Sequence, residues 1–280
     1  MSTDKLHKHR FIDLFAGIGG FHYALQNAGG SCVFASEWDP DASKTYHLNH
    51  KMKVEGDITK ISPQEIPDFD ILCGGFPCQP FSQAGFKKGF SETRGTLFFN
   101  IAEIIKIKQP KAFFLENVKH LLKHDDGKTF KTIQSTMKEL GYSFYYKILK
   151  ASDFGLPQHR PRLFMVGFKD QNIKFEFPKT QKLTLTMSDI WGEPCDKKIG
   201  FTLRVGGRGS RITDRHNWDS YNVNGKIKRL GIAEGIKMQG LPSNFKFPPG
   251  TTETKAMKQL GNSVAIPVIQ AIAKQIFKYI

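Results

Sequence analysis

Through its first 168 residues the chain alternates short runs of β-branched and aromatic residues with longer stretches of helical period, and this alternation leaves few architectures open. Strand and helix taking turns build βαβ units, whose strands align parallel and are covered by helices on both faces. Strands are expected at residues 11–15, 32–36, 69–73, 112–115, 144–150 and 163–168. Helices are expected at 21–28, 40–49, 97–107 and 129–140. The fold class that follows is α/β: a doubly wound, mostly parallel, Rossmann-like sheet. After Phe168 the character changes, and residues 169–247 are rich in Gly, Pro, Asn, Arg and Lys with little helical period. That stretch reads as a second, smaller, loop-rich domain, set at 169–255. An amphipathic helix is expected at 264–280, with Val264, Val268, Ile269, Ile272, Ile276 and Phe277 near helical spacing. It should pack back on the first domain, so that 256–280 completes 1–168.

In such a sheet, ligands bind outside the carboxyl ends of the strands, so the residues that follow each strand carry the chemistry. The first strand runs into Phe15-Ala16-Gly17-Ile18-Gly19-Gly20, a glycine turn that lets backbone N–H groups approach a cofactor closely. A dinucleotide fingerprint would need a third glycine where His22 stands, which weakens a nicotinamide reading. Glu37, at the end of the second strand, is placed to hydrogen-bond ribose hydroxyls, and Trp38 to cover an adenine face. Taken alone, a glycine turn can also be no more than a tight turn.

The third strand leads into Gly75-Phe-Pro-Cys-Gln-Pro-Phe-Ser82. A cysteine is usually a small buried hydrophobe, which suits Cys32 and Cys73. Cys78 instead lies between Pro77 and Pro80 at the mouth of the crevice that Gly17 faces, a setting for thiolate chemistry. Glu116 and Asn117 end the fourth strand and open into the same crevice, where a partly desolvated carboxyl suits proton donation. Gln158-His-Arg-Pro-Arg162 puts Arg160 and Arg162 on alternate positions of an extended run, hence on one face, ready to hold an anion or Glu116.

Charge narrows the substrate. The 280 residues carry 41 Lys and Arg against 26 Asp and Glu, a formal net charge of +15, and a surface of that sign attracts polyanions. No window approaches the apolar length a membrane span needs, and the basic first ten residues lack a signal peptide's apolar core. The four cysteines form no C-x-x-C pair and have no histidine spacing that suggests zinc, so no metal is expected and a reducing cytoplasm fits best.

Taken in order, these segments resemble the DNA (cytosine-5)-methyltransferase family of prokaryotic restriction–modification systems, over nearly the whole chain. The motifs are Asp13-Leu-Phe-Ala-Gly-Ile-Gly-Gly20, Gly75-Phe-Pro-Cys-Gln-Pro-Phe-Ser82, Glu116-Asn-Val118, Gln158-His-Arg-Pro-Arg162 and Gly261-Asn-Ser-Val264. The resemblance implies a methyltransferase fold that uses S-adenosyl-L-methionine and acts on carbon 5 of a cytosine flipped out of double-stranded DNA. It implies Cys78 as nucleophile, Glu116 as proton donor to ring nitrogen 3, Arg160 positioning the base and Glu116, and Asn117 and Arg162 supporting the site. It extends the cofactor site from Asp13, Phe15–Gly20, Glu37 and Trp38 to Asp57, Ile58, Gly75, Pro77, Leu97, Asn262, Ser263 and Val264, with Asp57 and Ile58 at the adenine. On the DNA side it adds Gln79, Ser82 and the recognition insert. There Thr202 and Leu203 mark the core, and Arg204, Arg208, Arg211 and Arg215, interleaved with glycines on a flexible backbone, would reach the duplex. A monomer in a prokaryotic cytoplasm, with a cognate restriction endonuclease as functional companion, completes the expectation. One departure is Ala233 and Lys237, where similar proteins carry arginines in a segment supporting the recognition domain.

Two other classes compete. An RNA cytosine methyltransferase would use the same site, and the basic insert argues weakly against it; tritium transfer to tRNA and to duplex DNA discriminates. A non-enzymatic DNA-binding protein on a decayed scaffold would not need Cys78, Glu116, Arg160 and Arg162 intact. An adenine amino-methylating enzyme would show an Asp-Pro-Pro-Tyr-like loop, which the sequence lacks.

Overall fold

A computed structural model describes residues 9–77 and 97–280. Among the described residues, six strands form one sheet in the order β2-β1-β3-β4-β6-β5: β1 (Arg10–Leu14), β2 (Ser31–Ser36), β3 (Ile71–Gly75), β4 (Ala112–Val118), β5 (Tyr145–Lys150) and β6 (Pro161–Phe168). β2, β1, β3 and β4 pair in parallel, and β6 runs against both its neighbours. All six expected strands are present, with ends moved by up to three residues.

The central strands are apolar at nearly every position because both faces are covered. Phe11, Ile71, Cys73 and Phe114 point into one core cluster, and Ile12, Leu14, Leu72, Phe113 and Leu115 into the other. The first cluster is closed by α1 (Gly20–Asn27) packed against α8 (Ile266–Ile276), and the second by α3 (Leu97–Lys108) and α4 (Lys128–Glu139). Helix α2 (Pro40–His50) starts from Asp39, whose carboxylate accepts the Asp41 and Ala42 N–H groups.

Helix content after residue 168 exceeds what the period suggested. α5 (Met187–Trp191) and α6 (Ile232–Gln239) fall within the stretch read as loop-rich, and α7 (Glu253–Asn262) was not anticipated. The expected helix 264–280 is the shorter α8, because Ala265 is its extended N-cap and Pro267 sits in its first turn. A two-stranded antiparallel ribbon, β7 (Ser220–Val223) with β8 (Lys226–Arg229), stands apart from the main sheet. Lys237, one of the two departures, donates to the Ile190 carbonyl at 2.9 Å and so ties α6 to the end of α5. No helix among the described residues is long and apolar enough to cross a membrane.

Candidate active site

Strand order reverses between β1 and β3, since β1 connects outward to β2 and the chain then returns to β3 on β1's other side. A crevice opens at such a switch point. It is a cavity of about 410 Å³, walled by residues after β1 (Phe15, Gly17, Ile18), after β2 (Glu37, Trp38, Asp39) and at the end of β3 (Gly75, Phe76, Pro77). Glu116, Asn117 and Val118 come from the end of β4, and Arg160, Arg162, Leu97, Lys258, Gly261 and Asn262 complete much of the rest. The arginines reach this edge only because β6 is antiparallel, which brings its first residues, not its last, beside the end of β4.

Glu116 is 8% exposed, and its Oε1 lies 3.0 Å from Arg162 Nε. The pairing follows from register: Arg162 stands opposite Val118, and Glu116 lies two residues back on the same face, a diagonal neighbour. The other carboxylate oxygen faces Gly75, where a Cβ would sit 3.5 Å from Oε2, so the absent side chain leaves that oxygen approachable. Asn117 donates to the Phe76 carbonyl at 2.9 Å, with Oδ1 accepting the Val118 N–H, and thereby fixes the chain where it leaves β3 toward Pro77. Cys78, Gln79 and Ser82 lie outside the described residues.

Arg160 behaves differently from expectation. It does not share Glu116 with Arg162: its guanidinium, 2% exposed, donates to the carbonyls of Leu203 (3.1 Å), Gly261 (2.9 Å) and Ser263. Burial, with the neighbouring Arg162 cation, lowers its pKa to about 9, opposed by the Glu116 charge. Beside it, Gln158 accepts the Leu203 N–H and donates to the Met238 carbonyl, while Gln239 donates to the carbonyls of Leu260 and Ser263. This hub fastens the 203 segment, α6 and the end of α7 to the sheet edge.

On the β1 side, Glu37 Oε2 accepts the Gly17 N–H and Oε1 the Asp39 N–H, both at 2.8 Å. Burial raises its pKa, and these backbone donors oppose the shift. Trp38 is 77% exposed, Phe15 holds a positive φ of 56°, and both border the cavity. A large exposed indole, a carboxylate with lone pairs to spare and a glycine turn are what an adenosine with two ribose hydroxyls would engage. The residues present therefore fit S-adenosyl-L-methionine.

Several expected cofactor residues shape the cavity from behind rather than line it. Asp13 is fully buried within β1, and burial raises its pKa well above the usual range, opposed by the nearby His22 backbone N–H. It does not line the cavity. Ala16 packs in the small Ala35–Tyr46 cluster. A Cβ on Gly20 would stand 2.6 Å from Val264 Cγ2 and 3.1 Å from Ser263 Oγ, so Ser263 and Val264 press on the turn's back. Gly19 (φ 83°) is backed by the His50 ring, which stacks on His22 at 4.0 Å. His22 in turn bonds Tyr46 through Nδ1 at 2.6 Å. Burial lowers His22 to about 4 and His50 to about 3, leaving both neutral at pH 7. Ile58 is core and Asp57 caps its own turn by accepting from Thr59. The Ser36–Glu55 bridge nevertheless brings this pair alongside the end of β2.

Among the expected DNA contacts, Thr202 is half-buried, and Leu203 is 1% exposed with its side chain in the core. Arg208 is spent internally on the Leu230 carbonyl, Asp219 and Glu253. Arg204, Arg211 and Arg215 are exposed. Burial drives the Cys32 thiol up to about 12 and Cys73 well above its usual value, so both are inert, as read from the sequence. Lys258, on the unanticipated α7, is a cavity residue that sequence reasoning missed, and Gly261, which opens the last motif, lines the cavity too. The Thr252 cap and the apolar Ala256, Met257 and Leu260 were the available signal.

The sequence matches the model of the C-5 cytosine-specific DNA methylases over residues 9–220 and 197–278. It is 43% identical over 305 residues to the type II methyltransferase M.SsoII of Shigella sonnei, covering 96% of this chain and 80% of that one. To M.HhaI of Haemophilus parahaemolyticus it is 41% identical over 308 residues, covering 95% and 94%. Two solved structures share the fold. A DNMT2 mutant from Spodoptera frugiperda has a TM-score of 0.76 at 20% identity, covering 96% of this chain and all of that one. Dnmt2 of S. pombe has 0.75 at 18%, covering 97% and 98%.

Proposed function

Because the chain belongs to the C-5 cytosine-specific DNA methylase family, we propose that it methylates carbon 5 of a cytosine flipped out of a short double-stranded DNA sequence, through a covalent bond to Cys78. One observation carries this reading: the Arg162-braced Glu116 carboxylate shares one cavity with Glu37, Trp38 and Pro77, the residue that Cys78 directly follows. When bound, S-adenosyl-L-methionine supplies an electrophilic methyl group.

The protein's task is to make carbon 5 nucleophilic. The Cys78 thiolate adds to carbon 6, forming a sulfur–carbon bond, while Glu116 delivers a proton or strong hydrogen bond to ring nitrogen 3. Arg162 occupies Oε1 and leaves Oε2, on the Gly75 side, for the base. Carbon 5 takes the methyl group and gives up its proton to a water molecule acting as base, the sulfur–carbon bond breaks with Cys78 leaving as thiolate, and ring nitrogen 3 returns its proton to Glu116, which restores aromaticity. Flipping the base costs roughly a few kcal/mol, offset by contacts to the extruded nucleotide and the duplex. Residues 169–255 form the recognition unit in this reading, with residues 1–168 and 256–280 as the catalytic body acting as a monomer. A cognate restriction endonuclease would cut the same sequence, as in type II systems.

Trapping tests the proposal. Duplex DNA with 5-fluorocytosine at the target gives a denaturation-resistant adduct with the wild type and cofactor, and none with Cys78→Ala. An undiminished adduct in the variant overturns the assignment. Tritium transfer to tRNA but not to duplex DNA would replace the substrate.

A further inference from the structure

The glycine-rich stretch 206–212 is not a loose arm. The four side chains of residues 217–220, all buried, fasten it from beneath. Trp218 Nε1 donates to the Gly206 carbonyl at 3.0 Å and the Gly207 carbonyl at 3.2 Å. Asp219 Oδ2 accepts the Gly209 N–H, Ser220 Oγ donates to the Ser210 carbonyl, and Asn217 Nδ2 reaches the Ile212 carbonyl. The near end is held as firmly, through the Arg160 and Gln158 bonds to Leu203. A Cβ on Gly261, which lines the cavity, would lie 2.5 Å from the Arg204 carbonyl oxygen. The stretch therefore leaves from the cavity rim and is pinned by buried side chains at Gly206, Gly207, Gly209, Ser210 and Ile212, where its glycines alone suggest a flexible backbone.

Two of those glycines are explained by the fold. Gly207 and Gly209 have φ of 74° and 93°, a region that favours glycine. Gly206 is not explained this way. It is exposed, its φ lies outside the left-handed region, and an added Cβ would meet nothing within 4 Å. Neither conformation nor packing fills the space over Gly206, so a partner can approach the peptide itself there.

We propose that duplex DNA meets the recognition stretch most closely at Gly206, and that Trp218 is the positioning residue that fixes this peptide for base discrimination. The inference rests on the DNA-methylating reading above. A contact that tells one base edge from another depends on hydrogen-bond geometry within a few tenths of an ångström. Trp218 supplies that constraint through two carbonyls, while the exposed Arg204 and Arg211 flank the contact.

The test begins with wild type, Gly206→Ala and Trp218→Phe expressed in a host lacking cytosine methylation, with bisulfite sequencing to map the methylated site. Purified proteins are then compared on a duplex carrying that site and on single-base variants of it. Gly206→Ala should bind the duplex at least tenfold more weakly, with wild-type melting temperature and wild-type affinity for S-adenosyl-L-homocysteine. Trp218→Phe keeps the ring but loses the donor. It should lower the ratio of kcat/KM between mapped and single-base-altered sites at least fivefold, a quantity that a purely structural role would not move. Gly206→Ala decides alone if Trp218→Phe does not fold, since its Cβ enters open space. A Gly206→Ala protein that binds DNA like wild type, or an unchanged ratio in folded Trp218→Phe, overturns this inference and leaves the methyltransferase reading standing. A wild type that methylates no cytosine takes both down.

Discussion

Replacing Arg160 with Met would show what a buried cation surrounded by carbonyl groups does for this protein. Exchanging a buried ion for an apolar side chain of similar volume is often neutral or even stabilising, because the cation no longer has to be stripped of water. That exchange succeeds when the partners are replaced as well. Here the partners are main-chain oxygens, which cannot be removed. Gln239 still donates to the Ser263 carbonyl, but the Leu203 and Gly261 carbonyls lose the Arg160 donor in a buried setting. Each unsatisfied buried acceptor costs about 1–3 kcal/mol, so even after relief of cation burial a net loss of about 3 kcal/mol is expected. For a chain of this length that corresponds to a fall in Tm of about 5 °C. Gly261 and Asn262 line the cavity, so affinity for S-adenosyl-L-homocysteine, measured by titration calorimetry, should fall at least about fivefold, ~1 kcal/mol. Arg160→Lys keeps the charge without the planar fork and should fall between. A Met variant that melts within about 1.5 °C of wild type and binds cofactor normally would refute the reasoning, since a shift that small is under about 1 kcal/mol.

Glu116→Gln preserves shape but removes the acid, and single-turnover methylation should slow by about 10² to 10⁴; a rate within about twofold of wild type would make Glu116 structural. The neutral His22–His50 stack makes stability depend on pH. Between pH 6.5 and the lowered native values, the unfolded chain binds protons that the native chain refuses, so this contribution is whole above about pH 6.5 and is lost toward pH 4. Asp13, shifted upward, acts in the opposite direction, so the comparison is with His50→Phe. Urea unfolding at pH 7 and 4.5 should show a loss smaller by about 2 kcal/mol in that variant, and equal losses would contradict the assignment. Arg208→Ala should cost about 1–2 kcal/mol by stranding the buried Asp219 carboxylate. Arg211→Ala should leave stability within about 0.5 kcal/mol but weaken DNA binding and reduce its salt dependence; the reverse pattern would exchange their roles.

The sheet was legible because a strand buried on both faces has to be apolar throughout, and Phe113–Leu115 or Leu163–Val166 allow little else. The glycine turn, Glu37, Trp38 and Glu116 were legible because each stands one or two residues from such a strand's end. What could not be read was which way a polar side chain turns once the chain is packed. Arg160 and Arg162 look alike in sequence, yet only Arg162 meets the carboxylate, because the direction of Arg160 is set by carbonyls more than 40 residues away. Asp13 looked like a ligand for the same reason: nothing local says that both of its oxygens end inside the core. The recognition stretch misled in the opposite sense, since glycine content reads as looseness until the buried Trp218 and Asp219 are placed beneath it.

Val264 pressed against Gly20 also sets a timetable for making the protein. The turn that follows β1 leaves the ribosome early, but the segment that backs it is translated about 240 residues later, a delay of roughly 12 to 50 seconds at ordinary elongation rates. Through that interval the nascent sheet carries an unbacked turn, and the hub around Arg160 lacks Gly261 and Ser263. The cavity, which Gly261 and Asn262 line, is thereby incomplete until residues 261–264 have been synthesised and have folded back. Fragments divided ahead of α7 should therefore recover the pocket only when both pieces are supplied together.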